Sequence, residues 1–366
     1  MKRRVALAHQ SVVWGDAIGN DIVGMYRLLE ALGFEPVIVG EVHRHQFADL
    51  ATIAAKDAEL SSCSLLIYHH SQFWATGETL LEGVECPVIF RYHNITPPHF
   101  FAPYSARYAS LCEDGRRLTR QLAGFGGAHL WLADSKFNAS DLVANGVDSG
   151  NIVVSPPFNR IHNMLRLPRL ACYDGKVIDI LFVGRLAPNK GHRHLLRVVH
   201  ALTGELGYCA RLRIVGAIDP ELDGYHRDLR TMIAELQLEP CVELLPHCSE
   251  RELETLFQTA HFFACFSEHE GFCVPIIEAQ AIGLPVVGAA TTAVGETAGL
   301  NQLMNVLPLG SSDYSFYARL IVEAFENANL RATVANIGER NVRERFSEEP
   351  IENGFTDAVF RTLGLL

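Results

Sequence analysis

The feature that most constrains this chain is a rhythm. Short apolar runs of strand character alternate with longer helical patterns, and the rhythm breaks once and then restarts. Before the break the strand runs are "RRVALAH" (3–9), "EPVIVGEV" (35–42), "SLLIYHH" (64–70), "PVIFRYHN" (87–94), "AHLWLADS" (128–135) and "NIVVSPP" (151–157). Alternation of this kind is the mark of βαβ units, whose crossovers lay helices over a parallel sheet. A helix is expected over about 19–32, with Gly33 as its C-cap.

The break falls at "PPFNRIHNMLRLPRLACYDGK" (156–176), which has three prolines, clustered Arg and no period. The rhythm then resumes in "VIDILFVG" (177–184), "RLRIVG" (211–216), "VELLPH" (242–247), "HFFACFS" (261–267) and "LPVVGAA" (284–290), with helical patterns at 192–202 and 250–260. A chain of 366 residues suits two cores better than one. The expected fold class is α/β, with two Rossmann-like domains at 1–170 and 171–345. The amphipathic stretch 346–366 is too short to be a domain and is expected to pack on something already built. Ligands of open α/β sheets bind at the carboxyl ends of the strands, so the expected site is the cleft between the domains, built from residues just after strands.

Composition narrows the function. The net charge of −11 argues against a protein that wraps a nucleic-acid backbone. Of the 31 Lys/Arg and 42 Asp/Glu, residues 1–170 hold 15 and 16, leaving 16 against 26 for the rest. An anion site in the second half must therefore be built locally from a few cations and backbone amides. Nine scattered cysteines with no C-x-x-C pair fit reduced thiols, and no apolar run reaches membrane-spanning length. The expected location is cytoplasmic, with the inner membrane face as an alternative.

Two motifs carry chemistry in the second half. The strand 177–184 runs into "GRLAPNKGH", placing Arg185 and Lys190 beside Gly184 and Gly191 at a sheet edge. There they can neutralise a diphosphate, Arg as a fork and Lys as a point charge, or serve only as solvated loop cations. The stretch "SEHEGFCVPIIEAQAIG" reads as strand end, loop and helix, with Pro275 near the first helical turn and Gly283 at the end. Glu278 is expected in the first turn, where it complements the helix dipole or accepts two adjacent ribose hydroxyls. Glu270, on the loop, is expected to face a ligand.

"FVGRLAPNKG", followed by "SEHEGFCVPIIEAQAIGLPVVG" and "GETAG", resembles glycosyltransferase family 4, retaining enzymes of GT-B fold. The family's E-x7-E pattern matches Glu270 and Glu278. The resemblance is strong over the second domain and weaker over the first. It implies a GT-B fold whose C-terminal helix crosses back to the first domain, and transfer of a sugar from a nucleoside-diphosphate sugar to a glycan or lipid-linked acceptor. It implies that Arg185 and Lys190 hold the donor diphosphate and that Glu278 binds the ribose. Glu270 would contact the transferred sugar, with backbone from Gly271, Phe272, Cys273 and Val274 nearby. Cys273 stands where the family usually has Gly. Glu296, in "VGETAG", matches a later family position and is read as structural.

In the first domain the resemblance assigns His93, at the end of strand 87–94, to the donor sugar; a lone His at a strand end otherwise reads as structural. Gly15 and Gly19 in "WGDAIGN" stand where the family has a flexible glycine pair beside the diphosphate. Arg116, Arg117 and Arg120 read first as a solvated helix face, and by resemblance as a peripheral membrane contact. No Asp-x-Asp pair follows a strand at a cleft position, and Asp179 lies inside one, so neither a metal nor another cofactor is expected. The alternatives are a nucleotide-sugar epimerase of similar architecture and a catalytically silent sugar-nucleotide-binding relative. A nicotinamide-dependent oxidoreductase would want G-x-G-x-x-G after a first strand, and neither glycine-containing loop has that spacing.

Overall fold

A computed structural model of the chain describes residues 3–13, 15–44, 49–126, 129–173, 175, 177–305 and 313–365. Contacts divide it into two units, one of residues 1–98, 110–160 and 346–366, the other of 99–109 and 161–345. The division comes ten residues before the expected one, because the Arg-rich break is anchored in the second unit. Arg169 Nη1 donates to the carbonyls of Phe257 and Gln258 at 2.9 and 2.8 Å, and the Leu170 amide donates to Gln258 at 3.0 Å. Residues 99–109, expected with the first unit, are held in the second by Tyr104 donating to Asp228 at 3.0 Å and by Arg107 pairing with Glu221.

Among the described residues the first unit has nine strands: β1 (Arg4–Ala8), β2 (Ser11–Val13), β3 (Glu35–Gly40), β4 (Val42–Arg44), β5 (Thr52–Ala54), β6 (Leu65–His70), β7 (Val88–Tyr92), β8 (His129–Ala133) and β9 (Ile152–Val154). Seven form a parallel sheet in the order β5-β3-β1-β6-β7-β8-β9, and β2 pairs with β4 alone. The three-residue β2, β4 and β5 are too short to show a period. Residue 128, at the start of the expected strand 128–135, lies outside the described residues. The helix Ala17–Ala31 covers one face, with Asp16 as N-cap and Gly33 in the left-handed conformation (φ 86°) just past its end. Phe355, Ala358 and Val359 of the helix Glu348–Thr362 join Leu7, Ile22, Leu29, Ile67 and Leu132 in one buried cluster. Residues 346–366 are thus part of the first unit's core, where each large apolar side chain contributes about 1.5–3 kcal/mol.

Among the described residues the second unit has six strands: β10 (Val177–Val183), β11 (Cys209–Val215), β12 (Val242–Leu245), β13 (Phe262–Cys265), β14 (Val286–Ala289) and β15 (Leu303–Asn305). They form a parallel sheet in the order β12-β11-β10-β13-β14-β15. In both units the chain builds outward one way and then reverses. The reversal lies between β1 and β6 in the first sheet and between β10 and β13 in the second. Loops on either side of a reversal diverge and leave a crevice at the carboxyl edge.

Three histidines at the carboxyl ends of β1 and β6 are kept neutral by burial. Burial lowers His9 to about 4 and His70 to about 3, and holds His69 well below its ordinary range. The unfolded chain protonates these rings near pH 6.5, whereas the native chain does not until about pH 4 or below. Between those values the unfolded state binds more protons, so native stability rises with pH, by about 1.4 kcal/mol per pH unit for each ring. The two described tryptophans, Trp74 and Trp131, belong to the first unit, and the sequence has none in residues 161–345. Their fluorescence is expected to show the urea midpoint of that unit falling steeply from pH 6.5 to 4.5; a flat profile would show that these rings already carry protons in the native state.

Candidate functional site

In the second unit the two motifs are locked together at the reversal between β10 and β13. Gly184 and Arg185 directly follow β10, and the chain then makes one 3-10 turn, Pro188–Lys190. Gly191 follows with φ 67°, a conformation that side chains resist, and a Cβ there would lie 1.9 Å from the Phe266 carbonyl oxygen. Only glycine lets this loop press against the one that leaves β13. Asn189, buried, donates through Nδ2 to the His269 carbonyl at 3.0 Å, and its own carbonyl accepts from the Glu268 amide at 2.8 Å. Lys190 Nζ then reaches both oxygens of Glu270, at 2.7 and 2.8 Å. Glu270 is therefore not turned outward alone, as its loop position suggested. It is the counter-charge of Lys190, in a pair that is largely shielded from water.

The Glu270 loop is fastened from its other side by a segment that follows β14. Thr292 Oγ1 accepts from the Glu270 amide at 3.0 Å, Thr291 donates to the Ser267 carbonyl, and Thr297 Oγ1 donates to Phe272 O at 2.6 Å. Glu296, on the short helix Val294–Ala298, offers its carbonyl to Arg345 at 2.9 Å.

Cys273 is the N-cap of the helix Val274–Ala281, with φ 80° and ψ 71°. A glycine would take that conformation at no cost, whereas for a side chain it costs about 1–2 kcal/mol. Its Sγ lies 3.9 Å from Cys265 Sγ, and that contact, with burial added, holds its thiol well above the ordinary range. Glu278 is the fifth residue of this helix, whose first turn holds no acid. The dipole account of Glu278 therefore lapses; the carboxylate stands one turn along, half-buried. Arg185 is exposed at the carboxyl edge, Gly271 half-buried, and Val274 opens the helix.

In the first unit, Gly19 lies inside the first turn of the helix Ala17–Ala31 rather than in a loop. Its amide donates to Asp16 Oδ1 at 2.6 Å, and a Cβ would fall 1.9 Å from the Val13 carbonyl oxygen. Close packing accounts for this glycine. Gly15 keeps the loop character expected of it, with φ 94° and open space around it. Arg116 is tied to Asp141 at 3.2 Å and to the Ile95 carbonyl at 3.1 Å, which removes it from the expected solvated face; Arg117 and Arg120 are exposed.

His93 follows β7 beside the reversal between β1 and β6, and its ring is enclosed. Its Nδ1 lies 3.0 Å from Asp134 Oδ2, and its Nε2 lies 2.9 Å from Nδ1 of His69. Beneath them Arg91, fully buried, donates through Nε to Asp21 Oδ2 at 2.8 Å and through Nη1 to the Ser155 carbonyl at 2.6 Å, and pairs through Nη2 with Asp134 at 3.0 Å. Asp21, His69 and His93 bring possible metal-ligand atoms within 4.8 Å of one another. The geometry does not suit an ion. The ring centroids of His69 and His93 are 5.2 Å apart and the planes 18° from parallel, so the separation equals the nitrogen–nitrogen distance plus the two ring radii. The rings meet head-on along a hydrogen-bond axis, whereas two lone pairs sharing an ion at about 2.0–2.1 Å must converge at an angle. Asp21 Oδ2 is also already occupied by Arg91.

Parts of the chain and its fold are shared with known proteins. Residues 173–341 match the family described as glycosyl transferases group 1. That segment holds Arg185, Lys190, Glu270 and Glu278. Over 105 residues, 29% of its length, the chain is 37% identical to GDP-mannose:cellobiosyl-diphosphopolyprenol alpha-mannosyltransferase of Xanthomonas oryzae, 27% of which is covered. A longer match, 27% identical over 242 residues and 60% of this chain, is to D-inositol 3-phosphate glycosyltransferase of Kineococcus radiotolerans, 53% of which is covered. The chain spans 27 to 36% of the length of the first curated relatives it matches. Among solved structures, Anabaena HepE in complex with UDP and glucose superposes with a TM-score of 0.75 at 17% identity, covering 98% of this chain and 100% of that one. Sucrose-phosphate synthase from Thermosynechococcus elongatus gives 0.75 at 16% identity over 99% of each. The fold is therefore the GT-B fold of these glycosyltransferases, outside the group 1 segment as well as within it. No described helix is long and apolar enough to cross a membrane.

Sequence reading missed Asn189, Thr291, Thr292, Arg91, Asp21, Asp134 and His69. Two left a signal. Arg91 interrupts the apolar run "PVIFRY" and Asp21 begins the apolar "DIVGMY", and a charge in such a place must be paired. The others are ordinary polar residues whose partners lie far away in the chain.

Proposed function

We propose that this protein is a retaining glycosyltransferase that moves a sugar from a nucleoside-diphosphate sugar to a hydroxyl of a glycan or lipid-linked acceptor. The observation that carries the reading is the Lys190–Glu270 pair at the sheet reversal, where a cation and an acceptor of hydroxyl protons stand side by side. The match of residues 173–341 to group 1 glycosyl transferases supports it. So does the identity shared with a mannosyltransferase whose name specifies a GDP-sugar donor and a diphosphopolyprenol acceptor.

In this reading Arg185 and Lys190 bind the diphosphate and stabilise the negative charge that grows as it leaves, which is usually the largest single source of rate acceleration in such a reaction. Glu278 accepts the ribose hydroxyls. Glu270, with the backbone of 271–274, holds the transferred sugar. The acceptor hydroxyl attacks on the face from which the diphosphate departs. The two cations take the place that a divalent ion fills in other transferases.

A calorimetric panel of uridine, guanosine and adenosine diphosphates and their sugars tests this. A ligand bound only by the native state adds about 2.7 kcal/mol of stability at a hundred times its Kd, so one nucleotide class is expected to raise the midpoint. That class, with acceptor added and EDTA present, is expected to yield a product with the donor's anomeric configuration by NMR. A panel with no shift, or a product of inverted configuration, overturns the reading.

A further inference from the structure

We propose that Cys265 and Cys273 form a reversible oxidation site, a dithiol that hydrogen peroxide converts to a disulfide, closing the loop that carries Glu270 into a ring and slowing sugar transfer. The slowing rests on the assignment of that loop to the transferred sugar. Both cysteines are free, and their sulfurs lie 3.9 Å apart. Cys265 ends β13 and is buried, with its Sγ also 3.7 Å from Ser267 Oγ. Cys273 is half-buried and so is the one of the two that is open to a small oxidant. As N-cap it makes no side-chain hydrogen bond to the helix Val274–Ala281, and the helix does not draw its sulfur away from Cys265. A cysteine at φ 80° therefore gains neither a cap nor backbone ease; what it gains is the sulfur contact.

Cys265 is held below its ordinary range, chiefly because the Cys273 thiol donates to it. It takes the Cys273 proton as that sulfur attacks one oxygen of the peroxide, the O–O bond breaks and hydroxide departs. The Cys265 sulfur then attacks Cys273, the new S–O bond breaks, and its hydroxyl leaves with the Cys265 proton as water. Two electrons pass from the sulfurs to one peroxide, and an added thiol reverses the change by exchange. The bond brings the sulfurs from 3.9 Å to about 2.05 Å. Cys265 is too firmly held to supply that movement. It pairs in the sheet with Gly288, where a Cβ would fall 1.9 Å from the Cys265 carbonyl oxygen, so the two backbones are already at closest approach. Cys273 moves instead, and with it the backbone of 271–274 and the Phe272 carbonyl that Thr297 holds at 2.6 Å. Glu270 lies inside the ring and Lys190 outside it, so the pair is pulled from one side only.

The test treats the full chain with hydrogen peroxide, alkylates whatever thiols remain and digests it with trypsin. Cleavage after Arg251 and Arg319 releases residues 252–319, which contain Cys265 and Cys273 and no other cysteine. That peptide is expected to be unlabelled and lighter by its two thiol hydrogens, and to take a label on each cysteine when dithiothreitol precedes alkylation. With the sugar nucleotide that the calorimetric panel selects, the oxidised chain is expected to transfer about 100-fold more slowly, the cost that a misplacement of about 1 Å can carry. Dithiothreitol is expected to restore the rate. Cys265→Ala removes the buried sulfur without placing a polar group in the core; it is expected to keep the resting rate and to lose none of it to the same peroxide. Labels on both cysteines of 252–319 after peroxide overturn the proposal, and so does a fully cross-linked chain that transfers as fast as the reduced one. A reduced chain that transfers no sugar overturns the transferase reading instead, and leaves the mass of 252–319 to decide the oxidation site by itself.

Discussion

Arg91→Met is expected to destabilise the first unit by about 3–5 kcal/mol, the usual result of removing one partner from a buried ionic cluster. The side chain is fully buried and sits between two carboxylates, Asp21 from the helix Ala17–Ala31 and Asp134 after β8. Its Nη1 also supplies the hydrogen bond that holds the Ser155 carbonyl after β9. Methionine fills similar volume, so the loss is of charge and hydrogen bonds, not of packing. What remains is two carboxylates close together in a region from which water is excluded. They must then take up protons or let water in, and both cost stability. Urea unfolding followed by tryptophan fluorescence isolates the effect, because the second unit's residues 99–109 and 161–345 hold no tryptophan. The triple variant Arg91→Met, Asp21→Asn, Asp134→Asn is expected to recover part of the loss, since it removes the unpaired charges. A cost under about 1 kcal/mol for Arg91→Met alone would mean that the cluster is already open to water, since exposed ion pairs are worth no more than that.

Lys190→Ala is expected to lower sugar transfer by about 10²–10³-fold, the range found when one preorganised donor is removed from a developing anion. The cause is electrostatic. The second half of the chain carries 26 acids against 16 bases, so few cations are at hand to replace the lost one. Loss of Lys190 also strips Glu270 of its counter-charge at 2.7 Å, leaving a buried carboxylate unpaired. Lys190→Arg keeps the charge but not the compact ammonium that fits between the two Glu270 oxygens, and is expected to retain an intermediate rate. Single-turnover measurements with saturating donor separate the chemical step from binding. Turnover unchanged in Lys190→Ala, in a chain with native circular dichroism, would remove Lys190 from the reacting site.

Much of the second unit was legible in the sequence because its signals are local. A strand such as β10 declares itself by six apolar residues in seven, four of them β-branched, and the helix Val274–Ala281 by a proline near its start and Gly283 past its end. Glu270 and Glu278 were found because their spacing is fixed along the chain. The strands β2, β4, β5 and β15 were missed because three residues cannot display a period. The boundary near 160 was displaced because prolines mark where a chain turns and carry no information about which core it is tied to.

By itself the sequence determined the longer segments that become strands, that the sheets are parallel, and which charged side chains stand at strand ends, since each follows from the order and type of neighbouring residues. Tertiary structure alone decided the partners. Lys190 and Glu270 are 80 residues apart, and His69, His93 and Asp134 come from three different strand ends. Whether an acid faces solvent, a lysine or an arginine depends on strand order and loop packing, which join residues distant in the chain. The position of Cys273 shows the same division. That a side chain stands there can be read from the sequence, but that its backbone lies at φ 80°, where glycine would be at ease, was set by how its loop packs between the segments that follow β10 and β14.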